Sequence, residues 1–180
     1  MHFENNLSWL SYNYWDDGTN HYKLCRMDTE FPYTNNAQTN STTTKFLDGK
    51  LNYQSGKYNY FVEAFENTSD NLGSFHTSSR SNEIELTQSP IIYVPDAFTP
   101  NDDNINDDWN IHHVFVKDFS LKIYNQWGQL IYQSTDKNAH WRGEGITGIK
   151  EQSDVYVYII NYTGWDDSFH VSKGNLTLLR

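Results

Sequence analysis

The residues with the most chemical potential lie in one short stretch, "TPNDDNINDDW", residues 99–109, which packs four aspartates and three asparagines into eleven positions. A hard cation such as Ca²⁺ takes roughly six to eight oxygens, and an alternating loop lets side chains and a carbonyl converge on it. Asn101, Asp103, the Ile105 carbonyl and Asp107 have that alternation and would supply most of a calcium shell. An EF-hand-like loop also wants glycine at its sharp turn and a later bidentate carboxylate. Here Asn104 stands at the turn, and Asp108 follows too closely to serve as the second. The other reading is a self-satisfied loop: the side chains close Asx turns on their own backbone, while Ile105 and Trp109 anchor the stretch to a core. Under either reading these residues set shape and perform no turnover.

Elsewhere the ingredients of catalysis are scattered. There is no Gly-flanked serine, no phosphate loop and no histidine pair at metal spacing. His112 and His113 are adjacent, so on a strand they face opposite sides and cannot chelate one metal together. His21, His76, Glu63 and Glu66 share no acid–base or metal spacing and read as solvated surface. The single Cys25 has no disulfide partner within the chain. Its apolar neighbours predict an inert thiol, with Arg26 on the opposite face of the strand. Trp127, Trp141 and Trp165 fall at turns or strand ends, where flat aromatics can stack on sugars. A carbohydrate-binding or adhesive module is therefore the alternative to a recognition domain, and an enzyme is not expected.

These residues must be positioned by strands. Aromatics make up 16% of the 180 residues, and Tyr, Phe, Trp, Thr, Val and Ile fill short runs separated by Asn, Asp, Gly and Ser, which predicts an all-β protein. Runs in the first half include "LSWLSY", "HYKLCRM", "TTKFL", "YNYFVEAF" and "NEIEL". In the fourth, Tyr58, Tyr60, Val62 and Ala64 share the core-facing side. Prolines at 90, 95 and 100 mark a stiff, extended junction, so the expected domains are 1–89 and 90–180. After it come "WNIHHV", "FSLKIYNQWGQLIYQS", "DVYVYIINYT" and "HVSKGNLTLLR", with a hairpin turn at Trp127-Gly128.

A net charge of −10 repels phosphate backbones and anionic lipid, so nucleic acid is not an expected partner. No apolar run approaches the ~20 residues that cross a bilayer as a helix. "MHFENN" lacks the features of a secretory leader, so an exported chain would carry its leader upstream, in a longer polypeptide.

The first half resembles a fibronectin type III domain in "LSW", "HYKLCR", "SGKYNYFVEA" and "SRSNEIEL" over about 80 residues. The resemblance implies a β-sandwich with Trp9 in the core and Tyr58 as the corner tyrosine, its hydroxyl bonded to nearby backbone. There is little room before Leu7, so a short or incomplete first strand is expected.

The second half carries "YVPDAFTPNDDNINDDW", "LKIYNQWGQLIYQS", "HWRGEG", "DVYVYIINYT" and "KGNLTLLR" in that order. It resembles the C-terminal domain of gliding-motility-associated proteins, the type B sorting domain of type IX secretion. That family's "PNGDGIND" is here Pro100 to Asp107, with Asp102 and Asn104 in place of two glycines, and its "WDG" has become "WRGEG", with Arg142 in the acidic position. The resemblance implies a second, Ig-like β-sandwich in tandem. It also implies a non-catalytic signal that directs a large protein through periplasm and outer membrane to the cell surface or medium, read by machinery that includes a PorP-type outer-membrane protein. Such reading requires a rigid exposed surface or an edge strand that accepts another strand. The expected contacts are Trp127 at the hairpin turn and Lys173, Gly174, Leu176, Leu178 and Arg180 on the last strand. No cofactor beyond the candidate calcium is expected.

Overall fold

The computed structural model describes residues 3–67 and 77–180, and every regular element among them is a β-strand. His76 lies outside the described residues. The chain divides into two compact units, Met1–Thr87 and Gln88–Arg180.

In the first unit, β1 (Asn5–Ser8) pairs antiparallel with β4 (Lys45–Asp48). A second sheet runs β3 (Thr34–Asn40), β2 (Thr19–Asp28), β5 (Lys57–Glu66), β6 (Ser78–Arg80), with β7 (Ile84–Thr87) also on β5. The two-residue period of β5 buries Tyr58, Tyr60 and Ala64 and packs Val62 against Leu7, Leu24 and Leu51. The Tyr58 hydroxyl donates to the Asn52 carbonyl at 2.7 Å, so nearby backbone satisfies its buried oxygen. Three details depart from the sequence reading. The first strand stops at Ser8 and does not run on to Tyr12, so Trp9 lies past its end, half-buried at the margin of the core. "TNNAQTN" forms β3 despite its polarity, because an edge strand is held by its ladder to β2 and needs no apolar face.

The third departure is a buried polar chain. The Asn5 amide donates to the Tyr60 hydroxyl at 2.9 Å, which donates to Asp48 Oδ2 at 2.8 Å, and Arg26 reaches the same oxygen at 2.8 Å. Burial alone would raise the Asp48 carboxyl. The hydrogen bonds from Tyr60 and Arg26, the Arg26 charge and the Lys50 N–H outweigh it and hold Asp48 below the ordinary carboxylate range.

The second unit is built on a five-stranded sheet ordered β13 (Leu130–Ser134), β12 (Val116–Tyr124), β15 (Asp154–Gly164), β16 (Phe169–Leu178), β9 (Ala97–Phe98). Two short ladders accompany it, β8 (Ile91–Tyr93) with β11 (His112–Val114) and β10 (Trp109–Asn110) with β14 (His140–Trp141). Alternate residues Phe119, Leu121 and Ile123 of β12, and Tyr156, Tyr158 and Ile160 of β15, point into a core with Trp109, Trp141, Leu176 and Leu178. The hairpin forms where expected. A register shift beyond Ile123 makes Ile131 its buried residue, with Leu130 and Tyr132 only partly covered. Between β8 and β9, at Pro95, the chain changes partners: β8 pairs with β11, whereas β9 runs parallel to β16 for two residues.

Candidate functional site

The acidic loop is organised by its own hydrogen bonds. The Asp107 carboxylate accepts the N–H of Asp102 at 2.7 Å through one oxygen and that of Asn104 at 2.7 Å through the other. Asn101 Oδ1 accepts from Asp103 N at 3.2 Å, and Asp103 Oδ1 accepts from Ile105 N at 2.8 Å. The Ile105 carbonyl accepts from the Thr99 hydroxyl at 3.3 Å. Burial would raise Asp107, but these backbone donors and the charge of Arg142 outweigh it and leave it lowered. Asp102, Asn104 and Asn106 all sit at positive φ, between 57° and 65°. Asp and Asn tolerate that region better than most side chains, so Asp102 and Asn104 can stand in place of the two glycines of the resembled motif. Trp109 anchors the loop as expected, fully buried with its indole N–H on the Pro95 carbonyl at 2.7 Å. Ile105 does not: it is 65% exposed, because the left-handed residues on either side turn its side chain outward.

Arg142, in the acidic position of the resembled motif, closes the loop from outside. Its Nη2 lies 3.0 Å from Asp102 and its Nε 3.0 Å from Asp108. Residue spacing gave no sign of this contact, since the partners are 40 and 34 positions away. Gly143 follows at φ +74°, and a side-chain carbon there would lie 2.5 Å from Leu178 Cδ1 and 3.0 Å from Arg180 Nη2. Its carbonyl accepts from Arg180 Nη2 at 3.0 Å, while Arg180 N donates to Ser153 Oγ at 2.9 Å. The last residues are thus tied to the β14–β15 connection.

The residues expected on the last strand divide between its two faces. Leu176 and Leu178 are wholly buried, so a partner docking on the folded domain cannot touch their side chains. Gly174 lies beneath the Tyr158 ring, where an added carbon would meet the phenol at 2.6 Å, so it shapes the core. Lys173 and Arg180 are exposed. Trp127 is 74% exposed on a turn whose Asn125 side chain accepts the N–H groups of Trp127 and Gln129.

Strand pairing gathers these features at one end of the sheet. Asp154 pairs with Leu178 and Val157 with both Tyr124 and Asn175, so the β12–β13 turn, the β14–β15 connection and the terminus converge there. Ile146, Ile149 and Leu179 are exposed in the same region.

Among the described residues, the groups singled out for catalysis and for sugar stacking do not converge. Burial, followed by the charge of Glu63, raises the Cys25 thiol, and His112 and His113 alternate sides on β11. Trp141 is a core residue whose indole N–H donates to the Glu144 carbonyl at 2.8 Å, and Trp165 is half-buried, so the three tryptophans do not present a common face.

Residues 92–178 match the model of the CHU_C type IX secretion signal domain family. No curated protein matches the chain. A domain of that family is a non-catalytic sorting signal, and a match to it implies contact with the secretion machinery and export to the cell surface or medium.

Proposed function

We propose, from the premise that residues 92–178 form a type IX secretion signal domain, that this domain is a type B address label read as a folded surface by a PorP-type outer-membrane component. The observation that carries this reading is the apolar, exposed end of the second unit, where Trp127, Ile146, Ile149 and Leu179 surround the anchored terminus. Exposed apolar side chains held on turns are what a partner can bury without unfolding the domain. The acidic loop contributes shape: its carboxylates are already engaged by its own N–H groups and by Arg142, so calcium would have to exchange those bonds for the ion. The first unit serves as a fibronectin III-like spacer between the label and the protein it exports through the periplasm and outer membrane.

A photocrosslinker at position 127 in secreting cells tests the reading. It should capture a PorP-type outer-membrane protein, and the adduct should be lost when the crosslinker is moved to the buried position 123. Equal capture from both positions, or capture only of soluble periplasmic proteins, would remove the reading.

A further inference from the structure

Among the described residues, the far half of β16 has an unpaired edge. β16 pairs with β15 along all of Phe169–Leu178, whereas β9 covers its other side only at Thr177 and Leu178. Thr177 N donates to the Asp96 carbonyl and Leu179 N to that of Phe98, so the odd-numbered residues direct their N–H and C=O groups away from β15. Among the described residues, the outward backbone groups of Phe169, Val171, Lys173 and Asn175 form no hydrogen bond within the second unit. The cause lies at Pro95: the chain that would continue this edge pairs instead with β11 as β8.

The side chains of these four residues are exposed on the outer face, where Val155 and Val157 add further apolar surface from β15. A long, flat, apolar edge is a liability unless it is covered or charged. Its one charged side chain is Lys173, whose cross-strand neighbour is Ile159 and which has no carboxylate partner among the described residues. In a chain of net charge −10, this lysine marks the edge for an acidic partner.

We propose that the edge from Phe169 to Asn175 is a strand acceptor, taking an extended segment of the secretion machinery with apolar residues beside Phe169 and Val171 and a carboxylate beside Lys173. Main-chain bonds supply the attachment, and the alternate side chains supply the choice of partner. The proposal rests on the secretion reading and adds the manner of contact.

The alternation gives a discriminating test. Val171→Pro removes an N–H that the domain itself does not use, and proline is tolerated on edge strands where its nitrogen faces solvent. The whole chain, fused behind a periplasm-directed fluorescent passenger, is scored for surface display beside Val171→Pro and Lys173→Glu, with folding checked by melting of the purified proteins. Display falling at least tenfold in a folded Val171→Pro, with a comparable loss in Lys173→Glu, is the expected result. Wild-type display of either folded variant overturns strand addition and leaves the secretion reading intact. If Val171→Pro fails to fold, Lys173→Glu decides alone. No display of the unsubstituted fusion in a secreting strain removes both readings. Concentration-dependent dimerisation that Val171→Pro abolishes would assign the edge to a second copy and contradict the proposal.

Discussion

Gly143→Ala should destabilise the second unit far more than Gly128→Ala, although the two glycines have nearly the same backbone conformation, at φ +74° and +77°. An L side chain in the left-handed region costs about 1–2 kcal/mol, and both variants carry that cost. At Gly128 nothing lies within 4 Å of the added methyl. At Gly143 the methyl would lie 2.5 Å from Leu178 Cδ1, on a fully buried leucine, and 3.0 Å from the Arg180 guanidinium. Overpacking of this kind adds about 1–3 kcal/mol, so the variant should lose roughly 2–5 kcal/mol in all. For a unit of about 90 residues, each kcal/mol moves Tm by roughly 4–8 °C, which puts the expected gap between the two variants at about 5 °C or more. Differential scanning calorimetry of the whole chain, with hydrogen exchange to assign the transition to β16, reads the effect. Equal shifts for the two variants would mean that the terminus does not pack on Gly143, and the anchored end of the domain would have to be redrawn.

Acid should weaken both units in the same direction. Asp48 and Asp107 are held below their ordinary values in the fold, so their stabilisation is present above about pH 4 and is lost as the pH falls through the lowered values. In Asp48→Asn the acid limb of a stability–pH curve should therefore flatten; an unchanged limb would show that the Arg26–Asp48–Tyr60 chain does not form. Millimolar calcium should leave the melting temperature unchanged, because the loop's carboxylates are already engaged; a saturable rise would instead establish a calcium shell on Asn101, Asp103, Ile105 and Asp107. Leu178→Ala should cost about 2–5 kcal/mol in urea titration, as expected for a wholly buried leucine, whereas Lys173→Ala should cost little.

The strands were legible where their pattern is intrinsic. Tyr58, Tyr60, Val62 and Ala64 share a face because the pleat requires it, and the left-handed backbone at Asp102 and Asn104 falls at the two positions where the resembled motif has glycine. Contacts set by tertiary pairing were not legible. Arg142 read as a lost carboxylate and is the clamp on the acidic loop; Asn5, Arg26, Asp48 and Tyr60 are distant in sequence and meet only once the first unit folds. Leu176 and Leu178 alternated as a docking strand would, but a period of two cannot say which face is covered. Ile105 followed hydrophobicity in the reading and local backbone geometry in the structure.

If the second unit is an address recognised by the type IX machinery, export of an attached passenger must depend on that machinery. The decisive measurement is surface fluorescence of a periplasm-directed passenger fused ahead of this chain, in a secreting strain and in its translocon-deficient derivative. Fluorescence at the surface or in the medium is expected only when the translocon is present. Equal fluorescence in both strains, or retention of the passenger in the periplasm of both, would contradict it.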